Sequence, residues 1–480
     1  MSEYIGIDFG TTNTAVIKID DKNKNAKLIT KLGENGEYPF ASMIAINKND
    51  GRMMFGREVK DKREELSKDY KIISSLKSVL GTGKEILVAD KKYTATDLAA
   101  LFFIYVKHIL NNVNTDIKEA VIAVPANFNE KQRNELLQAA NIAEINIKSM
   151  ITESTAAYIS NAKDVNAYSK VMVVDWGGGT LDVSILGVDN NKLYEKSVYG
   201  RKYGGDDIDE LLAKHICRII SLKTGNNVGF EQLGERDKDT LIKKAEEAKI
   251  KLSDTEDDVV VRFTEGCFDR QIIDVSYDDF CDLLAKPLEI AEETINEALK
   301  RADEYISNID AVFLVGGSSA LKPYQDKLES ILGDKVVYPE DVQWAIAKGA
   351  SVIASMNTEY HLSEDIGLVL SNDDFFALLK KGAKIGNKID DVSFGIVDDE
   401  TSARFVFAFE NKVPIKYESI KVKGFLEDKV TLSGVLNKNQ TLTVSMKSNT
   451  SGDCKEINID KIYSEVHKDA KDASFEPETH

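Results

Sequence analysis

Two short segments carry the residue types that hold a phosphate. The first is Asp8-Phe9-Gly10-Thr11-Thr12-Asn13. A tight turn of Gly and Thr after an apolar run presents backbone N–H groups and hydroxyls, the donors a phosphate needs. The Asp at the end of the run is placed to hold Mg²⁺ through water, because Mg²⁺ keeps much of its hydration. The second segment is Asp175-Trp176-Gly177-Gly178-Gly179-Thr180-Leu181-Asp182. Three consecutive glycines are entropically costly and make sense where backbone must approach a ligand closely. An ordinary hairpin turn would explain one copy. Two copies, each an apolar run ending in Asp-x-Gly, point to two half-domains that face one cleft.

Other positions read less sharply on their own. Gly316-Gly317-Ser318 follows an apolar run and is either a nucleotide contact or a plain strand-to-helix turn. Gly204-Gly205-Asp206-Asp207 opens a helix, where Asp206 suits an N-cap and the N-terminus suits an anion. Glu246, Lys249 and Ser253 fall at spacings of three and four and share one helix face. That set could hydrogen-bond a ribose and an adenine edge, or be an exposed ion pair. Lys77 is one of 62 basic residues and has no distinction by itself. Glu153 could equally be a first-turn acid beside the helix dipole.

These residues need a scaffold of alternating strands and helices. Residues 4–8, 120–124, 170–175 and 311–315 read as buried parallel-type strands. Helical periodicity covers 96–111, 130–141, 206–222, 238–252, 278–305 and 343–356. The alternation predicts an α/β architecture over residues 1–356. A polar, acidic join follows at 357–365. Residues 403–409, 419–425, 430–435, 441–447 and 456–460 then alternate with period two, predicting a small antiparallel β domain over 366–462. Residues 463–480 read as a polar, disordered tail.

The 480 residues suit two to three domains at roughly 150 each. A formal charge of −18 argues against nucleic acid or an anionic membrane as the main partner. The N-terminal stretch lacks the pattern of a signal peptide, and no apolar run is long enough to span a membrane. Four scattered cysteines read as reduced thiols in a cytoplasm. The histidines do not pair locally as zinc ligands, and neither a Walker A motif nor a nucleophile elbow is present.

Taken together, the motifs resemble the DnaK-type seventy-kilodalton heat-shock chaperone family, within the actin, hexokinase and chaperone ATPase superfamily. The likeness rests on residues 5–13 (IGIDFGTTN), 121–129 (VIAVPANFN), 175–182 (DWGGGTLD), 204–209 (GGDDID), 245–253 (AEEAKIKLS) and 314–318 (LVGGS). It implies a duplicated actin-like ATPase domain, two lobes around a nucleotide cleft, and then a β-sandwich substrate domain. It implies ATP or ADP with Mg²⁺, and K⁺ as a further candidate cation. Gly10, Thr11, Thr12 and Asn13, with Gly177, Gly178, Gly179 and Thr180, would hold the phosphates. Asp8 and Asp175 would anchor the Mg²⁺ shell through water. Lys77 would orient the attacking water, with Glu153, Asp175, Thr180 and Asp182 around it. Glu246, Lys249 and Ser253 would take the adenosine, with Gly205, Gly316, Gly317 and Ser318 nearby. Pro125 and Arg133 match the pair that relays nucleotide state to the substrate domain.

Departures from the family pattern shape the expectations. Ala320 stands where an adenine-stacking arginine is usual. Ser154 replaces a proline, and Ser149 replaces the arginine that meets J-domain proteins. The apolar interdomain linker is missing from 357–365, so the segment that would dock on the ATPase domain in one nucleotide state is not expected there. The exposed faces of 405–409 or 365–370 could serve as a different docking surface. Residues 461–480 are too few for the usual helical lid. The first functional reading is an ATP-dependent chaperone-like protein that binds a polypeptide client, with a J-domain protein and a nucleotide exchange factor as implied partners. The second is an ATP-switched scaffold with one dedicated partner. A small-molecule kinase or filament-forming ATPase is disfavoured by the helix motif at 245–253 and the appended β domain.

Overall fold

A computed structural model describes residues 3–467, apart from 24–25, 35–37, 114, 116, 118, 162–166, 190–191, 226–228, 265, 340, 357–358, 363, 397–400, 425–427 and 461–463. Lobe I is built on a sheet in the order Asn146–Thr152, Glu119–Val124, Glu3–Phe9, Asn13–Asn23, Ala26–Leu32. Lobe II is built on a second sheet, in the order Val336–Val337, Ala311–Val315, Lys170–Trp176, Leu181–Asp189, Lys192–Arg201, Ser464–His467, Glu359–Leu362. The two sheets repeat one plan. Each central strand bears its Asp one residue before its end, at Asp8 and Asp175. Each runs antiparallel to the strand after the glycine turn and parallel to a strand on its other side. The apolar runs that predicted buried strands are buried: Ile5, Ile7, Val171, Val173 and Val174 are each at most 2% exposed. This is the actin-like α/β architecture expected.

Helices cover the sheets with lengths close to those the periodicity predicts. They include Ala95–Asn112, Glu130–Ile142, Gly205–Thr224, Glu235–Thr255, Tyr277–Arg301 and Ala345–Ser355. Their starts follow from capping. Asn129 accepts from the Gln132 N–H while the Gln132 side chain accepts from the Asn129 N–H, which fixes the first turn of Glu130–Ile142. Thr94 and Asp97 do the same for Ala95–Asn112.

The β domain is a sandwich of two four-stranded antiparallel sheets. One runs Phe375–Leu379, Ile366–Val369, Ser402–Phe409, Pro414–Lys421; the other runs Lys388–Gly395, Lys429–Leu436, Leu442–Ser448, Cys454–Ile459. Alternation supplies its core: Phe405, Phe407, Leu432, Leu442, Val444 and Met446 all point inward. In the two segments named as docking faces, Phe405, Phe407, Ile366 and Leu368 point into the sandwich, while Val406, Phe409, Val369 and Leu370 are half-buried.

Two further segments differ from the sequence reading. The join contains the strand Glu359–Leu362, and the tail contains the strand Ser464–His467. Ser464–His467 lies between Lys192–Arg201 and Glu359–Leu362, antiparallel to both. The physical reason is the edge of lobe II. An edge strand carries unpaired N–H and C=O groups, and backbone pairing needs no apolar side chains. Residues 468–480 lie outside the described residues.

The β domain also meets lobe I directly. Arg133 is buried; its Nε donates to Phe128 O at 3.1 Å, and its Nη1 donates to Asn439 O at 3.2 Å and Gln440 Oε1 at 3.0 Å. Gln440 Nε2 donates to Met150 O at 2.8 Å, and Asn458 Nδ2 donates to Glu130 Oε1 at 2.6 Å.

Candidate nucleotide site

The first glycine turn is buttressed from behind. Ser42 Oγ donates to Gly10 O at 2.9 Å, and the Ser42 N–H donates to Thr12 O at 2.9 Å. The second turn is tied by its carbonyls. Gly177 O accepts from the Gly205 N–H at 3.0 Å and from Ser318 Oγ at 3.0 Å; Gly178 O accepts from the Asp206 N–H at 2.7 Å. Thus Gly205 and Ser318 hold the turn from behind. The two turns face each other across the cleft. A Cβ on Gly178 would sit 2.0 Å from Thr12 Oγ1, so only glycine lets the lobes approach here. Thr12 Oγ1 is itself buried without a partner among the described residues. Gly316 has φ +81°, and a Cβ there would meet Asp175 Oδ1 at 2.5 Å.

Charge gathers behind these turns. Lys77 lies on the short helix Leu76–Val79, preceded by Ser75 in the left-handed region at φ 58°. A non-glycine residue held there stores of order 1–3 kcal/mol, as functional positions often do. The Lys77 ammonium pairs with Glu153, and both are buried. Burial alone would lower Lys77, but Glu153, Asp8 and Asp175 outweigh it and raise its pKa. Burial, then Glu153, pushes the Asp8 carboxyl up to about 7. Asp175 is raised well above the usual carboxylate range by burial, Glu153 and Asp8. Asp182 rises to about 6 through burial and Glu153, against hydrogen bonds from Thr180 and Asn127. Four carboxylates around one ammonium leave surplus negative charge, the environment a divalent cation relieves. Among the described residues no three acidic, His or Cys side chains converge tightly enough to hold an ion directly. The set fits a divalent cation such as Mg²⁺, which keeps much of its water shell.

A cavity of about 510 Å³ opens beside the turns, lined by Thr12, Asn13, Gly178, Gly205, Glu246, Lys249, Ser253, Gly317 and Ser318. The structure thus brings Thr12 and Asn13 of the first turn and Gly178 of the second to one cavity with the three residues named on the helix Glu235–Thr255. Ser253 Oγ is buried and unpartnered among the described residues. Lys249 Nζ binds Asp209 Oδ1 at 2.7 Å and donates to Gly205 O at 3.1 Å. Glu246 is not free toward the cavity alone, since Lys60 of lobe I reaches it at 2.8 Å.

Several residues here went unassigned from the sequence. Asn127 donates to Asp182 Oδ1 at 3.0 Å, and it lies in the motif at 121–129 that could have flagged it. Asp209 lies in the motif at 204–209, and its Oδ1 accepts from the Lys249 ammonium at 2.7 Å. Lys60 sits in a run of alternating charges where spacing gives no signal. Ser154, in place of proline, donates to Glu195 at 2.5 Å. Behind the second turn, the Trp176 indole is fully buried and meets Tyr324 edge-on at 4.7 Å.

Comparison with known proteins agrees with this geometry. A family model described as Hsp70 protein matches residues 51–371. A protein described as Chaperone protein DnaK, from Mycoplasma mobile, is 29% identical over 378 residues, covering 77% of this chain. The chain spans 60% of that relative's length. No described helix is long and apolar enough to cross a membrane.

Proposed function

Because the chain belongs to the Hsp70 family, whose members are ATPases, we propose that it binds ATP with Mg²⁺ in this cleft and hydrolyses it slowly. The single observation that carries this is the facing pair of glycine turns, with Glu246, Lys249 and Ser253 on the wall of the same cavity. In this reading Gly10–Asn13 and Gly177–Thr180 hold the β- and γ-phosphates. Asp8 and Asp175 orient the water shell of the cation, which supplies charge neutralisation. Lys77 and Glu153 position the attacking water, and Thr180 and Asp182 complete its surroundings. Glu246, Lys249 and Ser253 take the adenosine. This is catalysis by positioning and electrostatics, suited to a loose phosphoryl-transfer transition state.

The nucleotide state would then set how the sandwich holds a polypeptide, in the cytoplasm, with a J-domain protein and a nucleotide exchange factor as partners. Arg133 and Gln440 support a link between cleft and sandwich. A second reading, a scaffold with one dedicated partner, is favoured by Ser149 in place of the arginine that meets J-domains. Calorimetry with Mg²⁺-ATP tests the nucleotide reading, and binding at micromolar or tighter affinity is expected. No heat and no displacement of a fluorescent analogue would overturn it. Retention of an unfolded polypeptide in ADP, and its release in ATP, separates the chaperone from the scaffold.

A further inference from the structure

We propose that Arg57 determines base specificity, gripping the purine of the bound nucleotide from lobe I. The inference rests on the nucleotide reading above and adds a contact that reading does not contain. It starts from how the rim of lobe I runs along the helix Glu235–Thr255 of lobe II. Arg63 pairs with Asp239 at 2.8 Å, Lys243 Nζ donates to Asp61 O at 3.2 Å, and Lys60 pairs with Glu246 at 2.8 Å. Each step back along lobe I is a step forward along the helix. One further step, to Arg57, leads to Ile250 and Ser253. Arg57 lines the same cavity as both, and as Ala320.

Its neighbours on this rim are consumed by ion pairs, whereas Arg57 is held as a platform. Its guanidinium carbon lies 4.1 Å from the centre of the Tyr38 ring. Its backbone N–H donates to the Glu34 carboxylate at 2.7 Å, which fixes the residue at the start of the helix Gly56–Asp61. Asp61 Oδ2 is 3.6 Å from Nε, and both side chains are substantially exposed, so this pair holds the arginine loosely. A guanidinium is planar and stacks on aromatic faces with either side. With Tyr38 against one face, the other can receive a purine. Ala320 on the far wall has only a methyl group to give. A nucleotide with its ribose on Glu246, Lys249 and Ser253 and its base on Arg57 would bridge the two lobes, so base affinity and lobe closure become one event.

The test compares ADP with CDP, which carry identical phosphates and ribose, by calorimetry or displacement on the full chain with Mg²⁺. In Arg57→Ala the ratio of ADP to CDP affinity should fall about tenfold, within the range that one planar base-stacking contact contributes. Arg57→Lys should show the same fall, since lysine keeps the charge and loses the plane. An unchanged ratio in both variants overturns the proposal, even if both affinities drop, because that pattern assigns Arg57 to the phosphates. A ratio restored by lysine overturns it as well. Failure of the unmodified protein to bind ADP at all is a different result: it removes the nucleotide reading and the base contact with it.

Discussion

Lys77 sits where one ammonium answers to Glu153, Asp8 and Asp175 at once. An ammonium so placed acts on charge that develops in the transition state more than on the bound ground state. Lys77→Ala should therefore reduce ATP turnover at least about 100-fold, while ATP affinity changes by less than about tenfold. Single-turnover hydrolysis and calorimetry on one preparation separate the two. Equal losses would make Lys77 a phosphate anchor instead. Thr180→Ala should slow hydrolysis less, since water can replace a hydroxyl. Legibility at this scale was uneven. Glycine turns announce themselves by composition, so Gly10–Asn13 and Gly177–Thr180 were plain. Lys77 carries no local signature and was reached only through family resemblance. Lys60 and Arg57 were not legible, because their roles come from the opposite lobe.

Among the elements, the strand that carries Asp175 is pinned at its far end. Glu304, just past the helix Tyr277–Arg301, binds Lys170 at 2.7 Å and also binds Lys196. Lys170 opens the Asp175 strand, and Lys196 is the extra residue of a bulge opposite Ile185 and Leu186. The two lysines hold the Glu304 carboxyl down to about 2, below its ordinary 4.5. A depressed carboxylate stabilises the fold above its unfolded pKa and loses that contribution as pH falls through the folded one. Glu304→Gln should cost about 2 kcal/mol near pH 7. The gap to the unmodified protein should close between pH 4.5 and 2. Urea unfolding at several pH values checks both, and a gap that is constant with pH would show that charge is not the cause. The long helices were legible because their apolar periodicity is strong. The strand Pro414–Lys421 differs by several residues from the segment 419–425 read from the sequence, since the apolar alternation of Ile420 continues to Val422, past the strand's end.

For the whole molecule, the contact of Arg133 with Asn439 and Gln440 joins lobe I to the sandwich, beside those of Met150 with Gln440 and Glu130 with Asn458. Arg133→Ala takes the donor from three acceptors, Phe128 O, Asn439 O and Gln440 Oε1, each at about 1–3 kcal/mol if left unsatisfied. The expected outcome is a sandwich that melts separately from the ATPase lobes and a join that is cleaved faster by protease. A single unchanged transition would show that the contact contributes nothing to the docked arrangement. The resemblance pointed to Arg133 as a relay to the substrate domain, but its partners could not be read, because polar residues 306 positions apart give no pattern that pairs them. The join and tail were misread for a related reason: a strand recruited by a sheet edge owes its structure to the partner's backbone and not to its own composition.

The pairing of Glu359–Leu362 with Ser464–His467 has a kinematic consequence. The sandwich leaves lobe II and returns to it through two strands lying side by side. One strand would act as a swivel, free to swing and to twist. Two hydrogen-bonded strands act as a strap hinge, which bends across its width but resists torsion. Such a hinge limits the sandwich to one arc. A chain ending at residue 462 would convert the hinge to a swivel. Distances from spin labels on the sandwich to lobe I should then broaden in every direction, whereas the full chain should show a spread confined to a single path.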